Sequence, residues 1–391
     1  MVRPSLVRAR VTEPKGMTRI LQLVVTASLM GFAGLPGSVL AQPLDQKAAL
    51  GKKLFFEVKL SSPDGQSCAS CHDPAFGFSE PDQEFATSEG VFLHRFGPRN
   101  TQTAAYLTFC PPLHYDAAKE TYVGGMFWSG NVDDLVEQAQ LPFFAPVEMH
   151  NFLEVQVVWG MILAGLAPEF ARVYGPKMLL PQNTHEAFVA ISDAIAAYER
   201  SHELNSFTSK FDHYRRGRAR LTPEEAWGWA LFNGKGKCFV CHTSGFQGGE
   251  PGPLFTNFAY YNLGVPKNFD NPFLYDAPRM NPEGVDFIDE GLHNVVILFD
   301  PEGAPAQNGK FKTPTLRNVQ VTAPYSHNGL FLTLKDVVHF HNTRDVPGAG
   351  WAPPEIPENI HTATVGNLGL TSAEEDALVA FLNTLTDGYP P

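Results

Sequence analysis

Cys68-Ala69-Ser70-Cys71-His72 and Cys238-Phe239-Val240-Cys241-His242 are the two stretches from which the rest of the chain is read. C-x-x-C-H is the attachment signature of c-type haem: two thiols add to the vinyl groups, and the adjacent imidazole turns back to ligate iron. Half of a zinc site and a redox C-x-x-C are the competing readings, but neither calls for His directly after the second Cys in both copies. Two covalent haems thereby account for four of the five cysteines, Cys68 and Cys71 with His72, and Cys238 and Cys241 with His242. Cys110 is left over and reads as a buried free thiol. The two histidines stand 170 residues apart, a domain-sized interval.

Outward from each motif the surroundings repeat. Ala49-Leu50-Gly51-Lys52-Lys53-Leu54-Phe55 has helical apolar spacing and precedes the first motif; Ala226-Trp227-Gly228-Trp229-Ala230-Leu231-Phe232 precedes the second, opened by the capping pattern Thr222-Pro223-Glu224-Glu225. Further helices are predicted at Val132–Gln140, Thr184–Arg200, Leu334–His341 and, after a Thr371 cap, Ala373–Leu385. Strand patterns are few, so the chain reads as mainly α. Long Gly/Pro/Asn-rich stretches at 245–281 and 347–360 need something large to wrap, and buried haem supplies it.

A length of 391 residues suggests two to three domains. Hydrophobic content of 43% with 18% charged residues fits a globular chain, and 34 Gly with 32 Pro fit long irregular loops. A net charge of −12 without a Lys/Arg-rich run argues against nucleic acid. The apolar run Ile20–Leu35, preceded by Arg19 and followed by Val39-Leu40-Ala41, reads as a cleaved signal peptide over residues 1–41 rather than a permanent membrane anchor. Met17 would start a signal of ordinary length. Export to the periplasm is expected, and loss of five basic residues with Glu13 takes the charge to −16.

An open sixth position on iron permits peroxide chemistry, whereas a second protein ligand confines the haem to electron transfer. Downstream of the second motif stand His293, His327, His339, His341 and His361, against a single methionine, Met280, in a predicted loop. His/His ligation is therefore favoured over His/Met in the C-terminal half, but spacing does not choose among the histidines.

The chain resembles the bacterial dihaem cytochrome c peroxidases and, within them, the MauG-like proteins. The resemblance runs from Leu50 to Asp387. It is carried by Gly97-Pro98-Arg99-Asn100, Phe127-Trp128-Ser129-Gly130-Asn131, Pro146-Val147-Glu148-Met149, Phe311-Lys312-Thr313-Pro314-Thr315-Leu316-Arg317-Asn318-Val319 and Thr322-Ala323-Pro324-Tyr325-Ser326-His327-Asn328-Gly329. It implies two cytochrome c-like helical domains, 42–210 with a peroxide-reactive haem and 211–391 with an electron-transfer haem, and a calcium ion between them. Position by position, it implies that His72 is the proximal ligand of a five-coordinate haem whose distal pocket holds Glu148, Gln138 and Pro142. It also implies that Trp128 lies between the haems and that Asn100, Thr322 and Pro324 are the calcium residues.

His341 falls where ordinary dihaem peroxidases have Met and MauG has Tyr, which brings the chain nearer to the MauG- and MbnH-like oxidases of partner proteins. For that group the implied reaction uses hydrogen peroxide to form a high-valent dihaem state and oxidises a partner residue at a distance, a tryptophan of a copper-binding protein going to kynurenine. Gly236 departs from MauG, which has a surface tryptophan there, leaving Trp227 and Trp229 as the tryptophans near the second motif. The alternative is a peroxidase reducing hydrogen peroxide to water with electrons from a small redox protein; His94 lies where that class carries a displaceable distal His. A pure electron-transfer cytochrome is the third reading.

Overall fold

Thr222 and Thr371, read as helix caps, do cap: each hydroxyl accepts the backbone N–H three residues on, and Glu225 and Glu374 return the bond. The computed structural model describes residues 43–245 and 250–390, so the expected leader at 1–41 lies outside the described residues. The helices are α1 Gln46–Phe55, α2 Cys68–Cys71, α3 Leu135–Gln140, α4 Glu154–Leu163, α5 Ala167–Tyr174, α6 Thr184–Glu199, α7 Lys210–Arg215, α8 Pro223–Asn233, α9 His293–Val296, α10 Leu334–Thr343 and α11 Ser372–Asn383. The helix predicted from Val132 starts three residues later because the Asp134 carboxylate accepts the N–H groups of Val136 and Glu137 and fixes the N-terminus there. The described residues from 44 onward form one compact unit. Among the described residues no single helix is long and apolar enough to cross a membrane.

Two helix pairs organise the interior, and they repeat. On α1, Gly51 lies against the backbone of α6: a Cβ there would stand 1.8 Å from the Ala194 carbonyl oxygen. On α8, Gly228 meets the Ala377 carbonyl of α11 at the same 1.8 Å. Only glycine permits either approach. Around the first crossing Leu50, Leu54 and Phe55 pack with Ile191, Ala194 and Tyr198; around the second, Leu231 and Phe232 pack with Leu378 and Phe381. Each Leu, Ile or Phe among them contributes about 1.5–3 kcal/mol on full burial, so each pair is the anchor of its own apolar core.

Strands are few, as expected. β1 His114–Asp116 and β2 Thr121–Val123 form an antiparallel hairpin, and β3 Tyr260–Tyr261 pairs antiparallel with β4 Phe311–Lys312. A single antiparallel bridge, Val123 to Ala259, joins the two ribbons. Between the helical cores sits Arg317, wholly buried, with its guanidinium on the Asp212 carboxylate and the Pro253 carbonyl (2.9 Å). The same group lies over the rings of Tyr106 (4.6 Å) and Phe207 (4.4 Å), which belong to the first core.

Candidate functional site

Three imidazoles are held alike. His72 bonds through Nδ1 to the Phe78 carbonyl (3.1 Å), His242 to that of Phe255 (2.9 Å), and His341 to that of Val337 one turn back on α10 (2.8 Å). A carbonyl can only accept, so Nδ1 carries the proton and the Nε2 lone pair is left for a metal. Burial lowers the basicity of all three rings, His242 to about 4, and keeps them neutral, as ligation requires.

Around the second motif an apolar cavity is lined by Cys238, Cys241, His242 and His341 with Phe232, Leu378 and Leu382. Of the five C-terminal histidines only His327 and His341 line it. His327 stacks on Phe311 (3.7 Å between centroids), His339 bonds Glu375 (2.9 Å) from a half-exposed position, His361 bonds Thr364 (2.7 Å), and His293 bonds the Ala304 carbonyl (2.9 Å). His341 projects from α10 within electrostatic reach of His242. A c-type haem fits this site: thiols at the required spacing, two imidazoles with free Nε2 atoms, and apolar walls.

The same cavity reaches Trp128, Asn100, Thr322 and Pro324. The Trp128 indole N–H donates to the Asn100 carbonyl (2.8 Å), and the Asn100 N–H donates to the carbonyl of His327 (2.8 Å). The tryptophan is thereby tied to a residue of the proposed calcium set. Gly236 also faces the cavity, where a Cβ would stand 2.9 Å from the Leu231 carbonyl and 3.4 Å from the Cys238 sulfur, so no bulky side chain enters without backbone movement. Trp229 packs among Phe211, Phe232 and Phe381, whereas Trp227 is 44% exposed; the two point apart, as helical spacing requires.

Near the first motif Glu148 comes from the loop between α3 and α4. That loop is closed by the N–H of Met149 on the Pro142 carbonyl (3.3 Å) and of Asn151 on that of Phe143 (2.8 Å), while Gln138 lies in the last turn of α3. Part of Glu148 meets solvent, yet protein surrounds its carboxyl closely enough that burial lifts its pKa to about 7. Its charge is felt by both Cys68 and Cys71, which places it beside the first motif. Sequence reasoning missed a second carboxyl here. Glu199, at the end of α6, is buried, has no partner for Oε2, is raised to about 8 by burial, and acts on Cys68. Its signal was a carboxylate ending a helix whose inner face is otherwise uncharged, mostly Ala, Ile and Phe with Ser192 and Tyr198. His94 is turned outward at the tip of its loop, its side chain 91% exposed. Cys110 is the buried free thiol expected, donating to the Gly125 carbonyl (3.4 Å) with the buried Lys312 ammonium 3.9 Å away.

Residues 45–220 match the family model of the di-haem cytochrome c peroxidases. The chain is 38% identical over 392 residues to the methylamine utilization protein MauG of Paracoccus denitrificans, covering 95% of this chain and 96% of that one. Among solved structures it is similar to the diheme peroxidase BthA of Burkholderia thailandensis, with a TM-score of 0.78, 33% identity, and 91% and 89% of the two chains covered. It is also similar to a MauG-like protein associated with microbial copper homeostasis, with a TM-score of 0.64, 26% identity, and 91% and 96% covered.

Proposed function

The chain belongs to the di-haem cytochrome c peroxidase family and is a peroxidase-type oxidoreductase, and from that premise we propose that it uses hydrogen peroxide to oxidise a residue of a partner protein by long-range electron transfer. Two c-type haems follow from the family. One haem is assigned to each of two cytochrome c-like domains, 42–210 on Cys68, Cys71 and His72, and 211–391 on Cys238, Cys241 and His242 with His341 opposite. The observation that carries the reading is His341, an imidazole on the cavity wall with Nδ1 committed to Val337 and Nε2 free. A donor of this kind on the second iron favours its oxidised forms, which suits storage of an oxidising equivalent better than acceptance of electrons from a small cytochrome. When bound, the haems supply peroxide reduction at the first site and one-electron storage at the second.

The chain's own groups do the rest. Glu148 takes the proton from the proximal oxygen of peroxide and returns it to the departing oxygen, for which a pKa of about 7 suits both directions. Gln138 and Pro142 shape the pocket around it. Trp128, held by Asn100, carries electrons between the halves. Asn100, Thr322 and Pro324 hold calcium through amide and carbonyl oxygens, the ligands a hard cation takes. The substrate is assigned as a tryptophan, converted to kynurenine, in an exported copper-binding partner; likeness to a MauG-like protein of copper homeostasis supports this. The leader-like residues 20–41 support action in the periplasm. The outward position of His94 supports the protein-oxidising reading over peroxide detoxification.

The test is to mix the holoenzyme and hydrogen peroxide with an exported copper-binding protein and, separately, with a reduced small cytochrome. Kynurenine in the copper protein by peptide mass mapping is the expected result. Fast peroxide turnover with the cytochrome and no modified tryptophan would establish the detoxifying peroxidase instead.

A further inference from the structure

We propose that Tyr115 and Tyr122, with Tyr260 filling the gap to the Trp128 segment, form a path along which the oxidising equivalent left by peroxide reaches the protein surface at the β1–β2 hairpin. The inference rests on the peroxide reading above and adds a route to it.

The path is a row across the strands. Tyr115 is the register partner of Tyr122. The antiparallel bridge from Val123 to Ala259 sets Tyr122 opposite Tyr260, and Tyr260 is the register partner of Lys312. Directly opposed residues share a face of the sheet, so the three phenols stand on one side. With strands about 4.8 Å apart, the row from Tyr115 to Lys312 spans roughly 14 Å. Its inner end meets the backbone of the segment that carries Trp128: the Lys312 backbone N–H donates to the Trp128 carbonyl (2.9 Å), and the Tyr260 hydroxyl donates to the Gly124 carbonyl (2.6 Å) and rests on Gly130 so closely that no side chain fits there. The Tyr115 and Tyr122 rings meet edge to face at 5.2 Å. Exposure rises along the row, from Tyr260 at 1% through Tyr122 at 7% to Tyr115 at 53%.

Tunnelling falls exponentially with distance, so steps of a few ångströms between oxidisable rings outrun one long jump. A phenol gives up its proton when it gives up an electron, and this decides where the charge can stop. Tyr260 donates to a backbone carbonyl, which cannot keep a proton, so it is a bridge and not a stop. Tyr122 stands beside the half-exposed Tyr115. Tyr122 passes one electron to the oxidised Trp128, restoring the indole, and its proton to water. Tyr115 then passes one electron to Tyr122, which takes a proton back from water, and the Tyr115 proton goes to water. The hole is left on an exposed ring, where a one-electron donor in solution fills it.

The holoenzyme treated with hydrogen peroxide, with no donor added, tests this by freeze-quench EPR, by the lifetime of the peroxide-oxidised enzyme, and by mass mapping of Tyr115. Wild type is expected to give a tyrosyl signal and oxidation products at Tyr115. Tyr122→Phe, which keeps the ring but removes the stop, should lengthen the lifetime about tenfold, equivalent to about 1.4 kcal/mol on the escape barrier. Tyr115→Phe with Tyr122→Phe should abolish the tyrosyl signal. Tyr260→Phe should change neither, because the bridging ring remains. An unchanged signal and lifetime in the double variant would overturn the path. A wild-type enzyme that peroxide does not oxidise at all would overturn the functional reading beneath it, a failure seen before any variant is made.

Discussion

The two halves share a scaffold and differ in what the chain places near each C-x-x-C-H motif. In both, a helix with an obligatory glycine crosses the last helix of its core, a C-x-x-C-H motif follows, and the imidazole Nδ1 is tied to a phenylalanine carbonyl. Near its motif the first half offers the Glu148 carboxyl from an irregular loop, and the second offers His341 from a capped helix. A loop can place a proton-transfer group and still leave room for a small oxidant. A helix whose first turn is locked by the Thr333–Asp336 capping box holds its side chain in one place, as a ligand that closes the position would need. The duplicated parts carry the attachment motifs, and on the proposed reading the unduplicated segments decide what each haem does.

The largest expected effect breaks the buried ion pair within the second half that holds Arg317 against the first core. Arg317→Met leaves Asp212 buried without its partner, so the holoenzyme should lose about 3–5 kcal/mol of stability, read by denaturant unfolding. Loss below about 1 kcal/mol would mean that the hydrogen bonds from Ser209 satisfy Asp212 without the guanidinium. Next come the distal groups. Glu148→Gln keeps shape and removes basicity, so oxidation by peroxide should slow about 100-fold or more in stopped flow, with the second haem's spectrum unchanged. His341→Ala should do the reverse, converting the second haem from low to high spin. A low-spin spectrum that survives would show that His327, the other histidine on this cavity wall, is the ligand.

A smaller, graded effect is the pH profile. Burial raises the Glu148 carboxyl from an ordinary 4.5 to about 7, and only the ionised form accepts a proton from peroxide. The oxidation rate should therefore fall about tenfold per pH unit below 7 and level off above it, and Glu148→Gln should flatten the profile. The linked stability runs the other way. The folded state holds this proton up to about pH 7 while the unfolded chain releases it near 4.5, so the group's favourable contribution is full below 4.5 and is lost as pH rises to 7.

What was legible in the sequence was covalent or local. The haem motifs depend on spacings of three residues, and the caps at Thr222 and Thr371 on hydrogen bonds three residues long. Which of the five histidines line the cavity was not legible from spacing, because it depends on which rings the fold turns inward, and those are His327 and His341. Neither was the row of tyrosines. β3 and β4 are two residues each, too short for any alternation, and their register is set by contacts from 52 residues away. Glu199 was missed because its helix reads as core, and an unpartnered carboxyl in a core is visible only once the walls around it are known.

The smallest expected effect separates the two outward routes. Trp227 is half exposed on α8 ahead of the second motif, whereas Trp229 is built into the Phe211–Phe381 cluster. Trp227→Phe should leave stability within about 0.5 kcal/mol of wild type, as surface changes do, while Trp229→Phe disturbs packing and cannot report on electron flow alone. If electrons from the partner enter by the tyrosine row, Trp227→Phe should leave both the lifetime of the peroxide-oxidised enzyme and the yield of modified partner unchanged, and Tyr122→Phe should lengthen the first and lower the second. If Trp227→Phe lowers the yield and Tyr122→Phe does not, the second half is the partner's port. The tyrosine row would then serve only to drain the oxidising equivalent when no partner is present, and the lifetime measured without partner would still lengthen in Tyr122→Phe.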